Sequence, residues 1–169
     1  MTVRFINSRY FCYTILLILI TLSSAFLNTG GAWAQMISQS IKVGEAPQNM
    51  NYNPSNGNMY VANFNSGDIS VIDSATNKVI STVETGDNLQ NLVYNPSNGN
   101  IYVMSISNSD GSGQIVVISS NTNKVISTIG VGDDPQDIKY NPSNGNIYVA
   151  NENSNDVSLI ITTKTNSTS

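Results

Sequence analysis

The chain has no histidine in its 169 residues, one cysteine (Cys12) and one tryptophan (Trp33). Without imidazole there is no side chain that ordinarily titrates near neutral pH, no histidine-ligated haem and no usual zinc or copper site. One cysteine cannot make an internal disulfide, so stability has to come from packing. Cations are scarce: Lys and Arg number seven against eleven Asp and Glu, for a net charge of −4. That balance disfavours nucleic acid, whose binding needs clustered Lys and Arg. Beyond residue 27 no apolar run is long enough to span a membrane. Ser is plentiful, yet none sits in a nucleophile-elbow pattern, and no spacing singles out a pair of carboxylates for acid–base work. The expectation is a protein that is not an enzyme, with no catalytic, cofactor-binding or metal residue assigned.

What is present begins with a targeting pattern. Arg4 and Arg9 give a positive start, residues 11–22 are apolar, and Ala32-Trp33-Ala34 supplies small residues before Gln35. Residues 1–34 therefore read as a signal peptide, with an uncleaved anchor as the alternative. An anchor is the poorer fit, because Thr14, Thr21, Ser23 and Ser24 interrupt the apolar stretch. Either way the rest of the chain is expected to be secreted or held at the cell surface. Cleavage leaves 135 residues (169 minus 34) with five Lys and eleven acids, a net charge of 5 − 11 = −6. The last residues, 162–169, read as a flexible tail, in which Asn166-Ser167-Thr168 matches a glycosylation sequon.

Between these ends the phrase Tyr-Asn-Pro-Ser-Asn-Gly-Asn occurs three times, starting at Tyr52, Tyr94 and Tyr140. The spacings are 42 residues (94 minus 52) and 46 residues (140 minus 94). Repeats of about 40–50 residues built from short strands and turns are the mark of propeller blades. Each unit parses into β-branched strands separated by Asn, Gly and Pro clusters. In the first these are 48–52, 59–63, 69–73 and 78–85; in the second, 90–94, 100–105, 114–119 and 124–131. The longer second spacing comes from four extra residues in the turn around Asn108-Ser109-Asp110-Gly111-Ser112-Gly113. The third unit has three strands, 136–140, 146–151 and 157–161, and residues 37–44 align with the outer strands of the other two. The fold expected over 35–161 is thus all-β: about three four-stranded blades, as a half-propeller or open arc, with one outer strand supplied by the N-terminus. Propellers usually close with roughly four to eight blades. Two chains forming a six-bladed ring, an open arc with exposed edges, and a remnant of a longer propeller all stay open.

Tyr60-Val61-Ala62-Asn63 and Tyr148-Val149-Ala150-Asn151, with Val71-Ile72-Asp73, Thr76-Asn77-Lys78-Val79-Ile80 and Gly86, resemble the YVTN-type β-propeller repeat. That family is typical of archaeal and bacterial surface-layer and secreted proteins, which implies a protein-binding or structural role at a cell surface. The chain departs from the pattern at Tyr102-Val103-Met104-Ser105 and at Ile161, and it carries fewer repeats than is usual for the family.

Strand order sorts the turns onto two faces. On the face holding the blade-to-blade and second-to-third turns fall Glu45, Asp68, Asp87, Asp110, Asp133, Asp134, Asp137, Glu152 and Asp156. Asp73 and Glu84 lie elsewhere, and Lys78, Lys124 and Lys164 belong to the opposite face. An acidic face attracts cations, whether Ca²⁺ or basic partner patches; Asp also simply suits turns. The Asp110 turn loosely resembles a calcium loop, but it offers one carboxylate where several oxygen ligands are needed. Gln48, Gln90 and Gln136 occupy equivalent inner-strand positions, followed by Asn49, Asn91 and Asp137. They stand either as axial ligands for a polar molecule or as partners for backbone groups near the axis. The leading expectation is an exported binding or structural module whose partner is a protein, a cell-envelope polymer or itself as a homodimer. The alternatives are a dimeric six-bladed propeller with an axial small-ligand pocket and hydrolase activity, or a fragment without function.

Overall fold

A computed structural model of the protein describes residues 39–86, 88–107 and 110–162. All but Gln39 of these belong to one compact unit, Ser40–Ser169. The predicted signal peptide, Asp87, Lys164 and the Asn166 sequon lie outside the described residues. Among the described residues the unit is built of strands and turns alone. The first antiparallel sheet holds β1 (Pro47–Asn53), β2 (Asn58–Asn63), β3 (Asp68–Asp73) and β4 (Lys78–Glu84) in that spatial order. The second holds β5 (Asn88–Asn95), β6 (Asn100–Ile106), β7 (Gly113–Ser119) and β8 (Lys124–Gly130). The third has three strands, β9 (Pro135–Tyr140), β10 (Ile147–Asn151) and β11 (Asp156–Ile160). The three sheets are blades, here numbered 1 to 3, and blade 2 packs between the other two.

The repeated heptapeptide makes one hydrogen-bonded turn three times over. Its first Asn accepts through Oδ1 from the amide of Ser55, Ser97 or Ser143 at 2.8–2.9 Å. Its second Asn accepts from the amide two residues on and donates to the hydroxyl of Tyr60, Tyr102 or Tyr148. These are Asx turns, a backbone-like bond supplied by a short side chain. Gly57, Gly99 and Gly145 hold φ of 72–76°, which a β-carbon would strain.

Packing between blades follows the strand alternation. Blade 1 presents Tyr60, Ala62, Ile69 and Val71, all fully buried, to Leu92, Tyr94, Ile101 and Val103 of blade 2. Blade 2 turns Tyr102, Met104, Ile115 and Val117 to Ile138, Ile147 and Val149 of blade 3. Every blade therefore has a forward face and a backward face, and the two junctions bury both faces of blade 2.

One expected strand does not form within the single chain over the described residues. The segment proposed as the outer strand of blade 3 carries no strand over residues 39–43, and residues 37 and 38 lie outside the described part. A strand forms only against a partner edge. Gly44 instead fixes this end of the chain to blade 1, its amide donating to Ser70 Oγ at 3.4 Å. The outer edge of β11 thus has no strand beside it among the described residues.

Candidate functional site

The blade-to-blade linker and the second-to-third turn meet at one end of the blades, as expected for the top. In blade 1 the amide of Phe64 donates to the carbonyl of Ala46 (2.9 Å), and that of Glu45 to Ser66 Oγ (3.0 Å). In blade 3 the amide of Glu152 donates to the carbonyl of Asp134 (2.9 Å), and that of Asp133 to Ser154 Oγ (2.6 Å).

Beneath these turns lies an arrangement that the sequence reading missed. Asn63, fully buried, donates its amide to Asp68 Oδ1 (2.7 Å) and Ser70 Oγ (2.9 Å). Asn151, 3% exposed, does the same to Asp156 (2.6 Å) and Ser158 (2.9 Å). The linker glycine closes on each triad. A β-carbon on Gly132 would stand 2.7 Å from Asn151 Cγ, and one on Gly44 would stand 2.8 Å from Asn63 Cγ. Blade 2 carries Ser105, Gln114 and Val116 at the corresponding places. The signal available in the sequence was the recurrence of Asn, Asp and Ser at positions 63, 68 and 70 and at 151, 156 and 158.

The triads reassign two of the acids counted as surface. Asp68 is buried and its carboxylate is engaged by Asn63; Asp156 is exposed but engaged by Asn151. Glu84 pairs across from Asp68 in the sheet register, so it stands at the top end of β4 rather than away from this face. Asp137 accepts from Asn91 of the neighbouring inner strand (3.1 Å) and forms an ion pair with Lys139 (2.7 Å). Glu45, Asp110, Asp133 and Glu152 are exposed, and Asp134 is half-buried.

Three of these acids share a groove. Asp110, Asp133 and Asp134 line an open groove of about 560 Å³ at the top of blades 2 and 3, with Ile106, Ser112 and Asn153. The four-residue insertion of blade 2 places Asp110 there. Its carboxylate accepts from the Ser112 amide (3.1 Å) and hydroxyl (2.8 Å). The bond from the Ser112 backbone, with hydroxyl bonds from Ser112 and Ser107, holds the Asp110 carboxyl below the usual aspartate range. Among the described residues no group of three or more His, Cys, Asp or Glu is arranged to hold a metal ion.

Gln48, Gln90 and Gln136 each fall at a β-bulge, between the register pairs Pro47/Asn49, Leu89/Asn91 and Pro135/Asp137. The bulge residue leaves the ladder and bends the strand. This accounts for their equivalent positions in the three blades.

Several solved structures share this arrangement of sheets, and it is that of a β-propeller. Hydrazine synthase of Kuenenia stuttgartiensis matches with a TM-score of 0.65 at 20% identity, over 74% of this chain and 42% of that one. A protein of Desulfotomaculum acetoxidans described as functionally unknown matches with a TM-score of 0.61 at 19% identity, over 70% and 38%. A chain of the mitotic checkpoint complex matches with a TM-score of 0.58 at 14% identity, over 67% and 35%. The likeness shows the fold alone, and this chain spans less than half the length of each. No family model and no curated protein matches the sequence.

Proposed function

We propose that the chain is an exported, non-enzymatic propeller module of the YVTN type that binds a basic protein or cell-envelope surface through its acidic top. The observation that carries this reading is the groove lined by Asp110, Asp133 and Asp134, with no basic residue among the described residues of its lining. The sheets bring these turns side by side, so the carboxylates add to one negative field. The N-terminal pattern of Arg4, Arg9, the apolar run and Ala32-Trp33-Ala34 supports export.

The test is binding of a fluorescent oligolysine peptide to the full chain across a salt series. Binding that weakens with salt and drops about tenfold or more in the triple variant Asp110→Asn, Asp133→Asn, Asp134→Asn is expected, since clustered charges act together. Equal affinity of the triple variant and the parent would overturn the reading. Localisation is checked separately, by fractionating cells that express the chain with and without residues 1–34.

A further inference from the structure

Each blade junction is sealed at the bottom by the same pair of hydroxyls. Tyr94 of blade 2 meets Ser55 of blade 1 at 2.6 Å, and Tyr140 of blade 3 meets Ser97 of blade 2 at 2.8 Å. The repeat leaves one of each unused. Among the described residues no blade packs behind Tyr52 of blade 1 or ahead of Ser143 of blade 3. Neither hydroxyl has a hydrogen-bond partner among the described residues.

The apolar surfaces show the same mismatch. Leu92 and Ile138, on the backward faces of blades 2 and 3, are each 2% exposed, whereas Met50 at the same position of blade 1 is 60% exposed. Ile69 and Val71, on the forward face of blade 1, are fully buried, while Val157 and Leu159 at the same positions of blade 3 are 59% and 51% exposed. Both terminal faces are hollowed. Gln136, Ala150 and Val157 help to line one cavity of about 390 Å³, and Met50, Gln48 and Val61 another of about 360 Å³.

We propose that a second copy of this chain covers both faces. The third blade of each copy docks on the first blade of the other, so two arcs of three blades close a six-bladed ring. The occupant is named by the two junctions already present, which show what each face packs against: another blade of this repeat. A forward face bearing Val157, Leu159 and Ser143 meets a backward face bearing Met50 and Tyr52. Two such contacts, related by a two-fold axis, leave no face of this kind open. The same docking brings the open edge of β11 beside residues 39–43 of the other copy, whose sequence matches an outer strand. This inference stands apart from the acidic groove, and its test reads association alone.

The full chain is prepared with Cys12→Ser, Tyr52→Cys and Ser143→Cys and treated with a short bismaleimide. A covalent dimer is expected as the main product, and none from either single-cysteine variant, because residue 52 of one copy faces residue 143 of the other. Monomer alone would overturn the proposal, and so would a ladder of trimers and larger species, the mark of copies adding without closure. Light scattering of the unmodified chain is expected to give twice the chain mass. Leu159→Glu, at a site already half-exposed, should shift it to monomer with unchanged circular dichroism. Ile126→Glu, on the outer strand β8, should leave the dimer intact. Tyr52→Phe should weaken the dimer about fivefold per junction, hence about 25-fold for two. A Leu159→Glu chain that stays dimeric would also sink the idea.

Discussion

Blades 1 and 3 close their tops differently from blade 2. In the first pair a buried Asn holds an Asp and a Ser, and the linker glycine packs against that Asn. In blade 2 Ser105 replaces the Asn, and its hydroxyl is buried without a hydrogen-bond partner among the described residues. A β-carbon on Gly86, the linker glycine entering blade 2, would meet nothing within 4 Å. Blade 2 compensates with carbon: Leu89 stands where the other linkers place Pro47 and Pro135, and it is fully buried in the core shared with blade 1. The same backbone thus has two ways of tying a linker to a blade, one polar and one apolar.

Stability measurements can break this contrast. The largest effect is expected from Asn63→Ala. It strips the donor from the buried Asp68 carboxylate and should cost about 3 kcal/mol in urea unfolding. Ser105→Ala, the corresponding change in blade 2, removes a buried hydroxyl with no partner among the described residues and should be neutral or stabilising by up to about 1 kcal/mol. If both changes destabilise alike, the two tops are not distinct.

Next in size is Gly132→Ala. The added carbon drives into Asn151 and should cost about 2 kcal/mol through overpacking. Gly86→Ala meets no such wall. It suffers only from its φ of 87°, which should cost about 1 kcal/mol. Melting temperatures of the two variants rank them directly.

The smallest effect sharpens the contrast at the bottom of the blades. Asp73 accepts from the Ala75 amide (2.8 Å), and this bond above all lowers its carboxyl below the usual value of 3.8. A lowered folded pKa stabilises the protein above the unfolded value, and that contribution fades as pH falls through the folded one. Blade 2 has Ser119 at this place. Asp73→Ser should therefore flatten the loss of melting temperature below about pH 4, the unfolded aspartate range. An unchanged acid limb would show that Asp73 contributes nothing to it.

Most strands were legible to within two residues, because Asn-Gly turns and β-branched runs mark hairpins by local chemistry alone. The heptapeptide turn was equally plain. The triads were not, since Asn63, Asp68 and Ser70 read singly as turn residues and surface charge. Only the sheet register, which sets Asn63 opposite Asp68, turns them into a buried cluster. The glutamines were legible only in part: equal spacing shows equal place in the blade, and the register adds that each place is a bulge. Residues 39–43 belong to a stretch that matches an outer strand in sequence, but a match cannot supply the edge on which a strand is laid down.

The junction hydroxyls carry a consequence for how such a chain changes length. Each repeat brings both halves of the seal, a tyrosine that reaches back and a serine that is reached. A unit duplicated in tandem would arrive with its own bond to the preceding blade and its own offer to the next. Growth or loss by whole blades then leaves every internal seam intact, while a break within a blade would orphan one hydroxyl and open one apolar face.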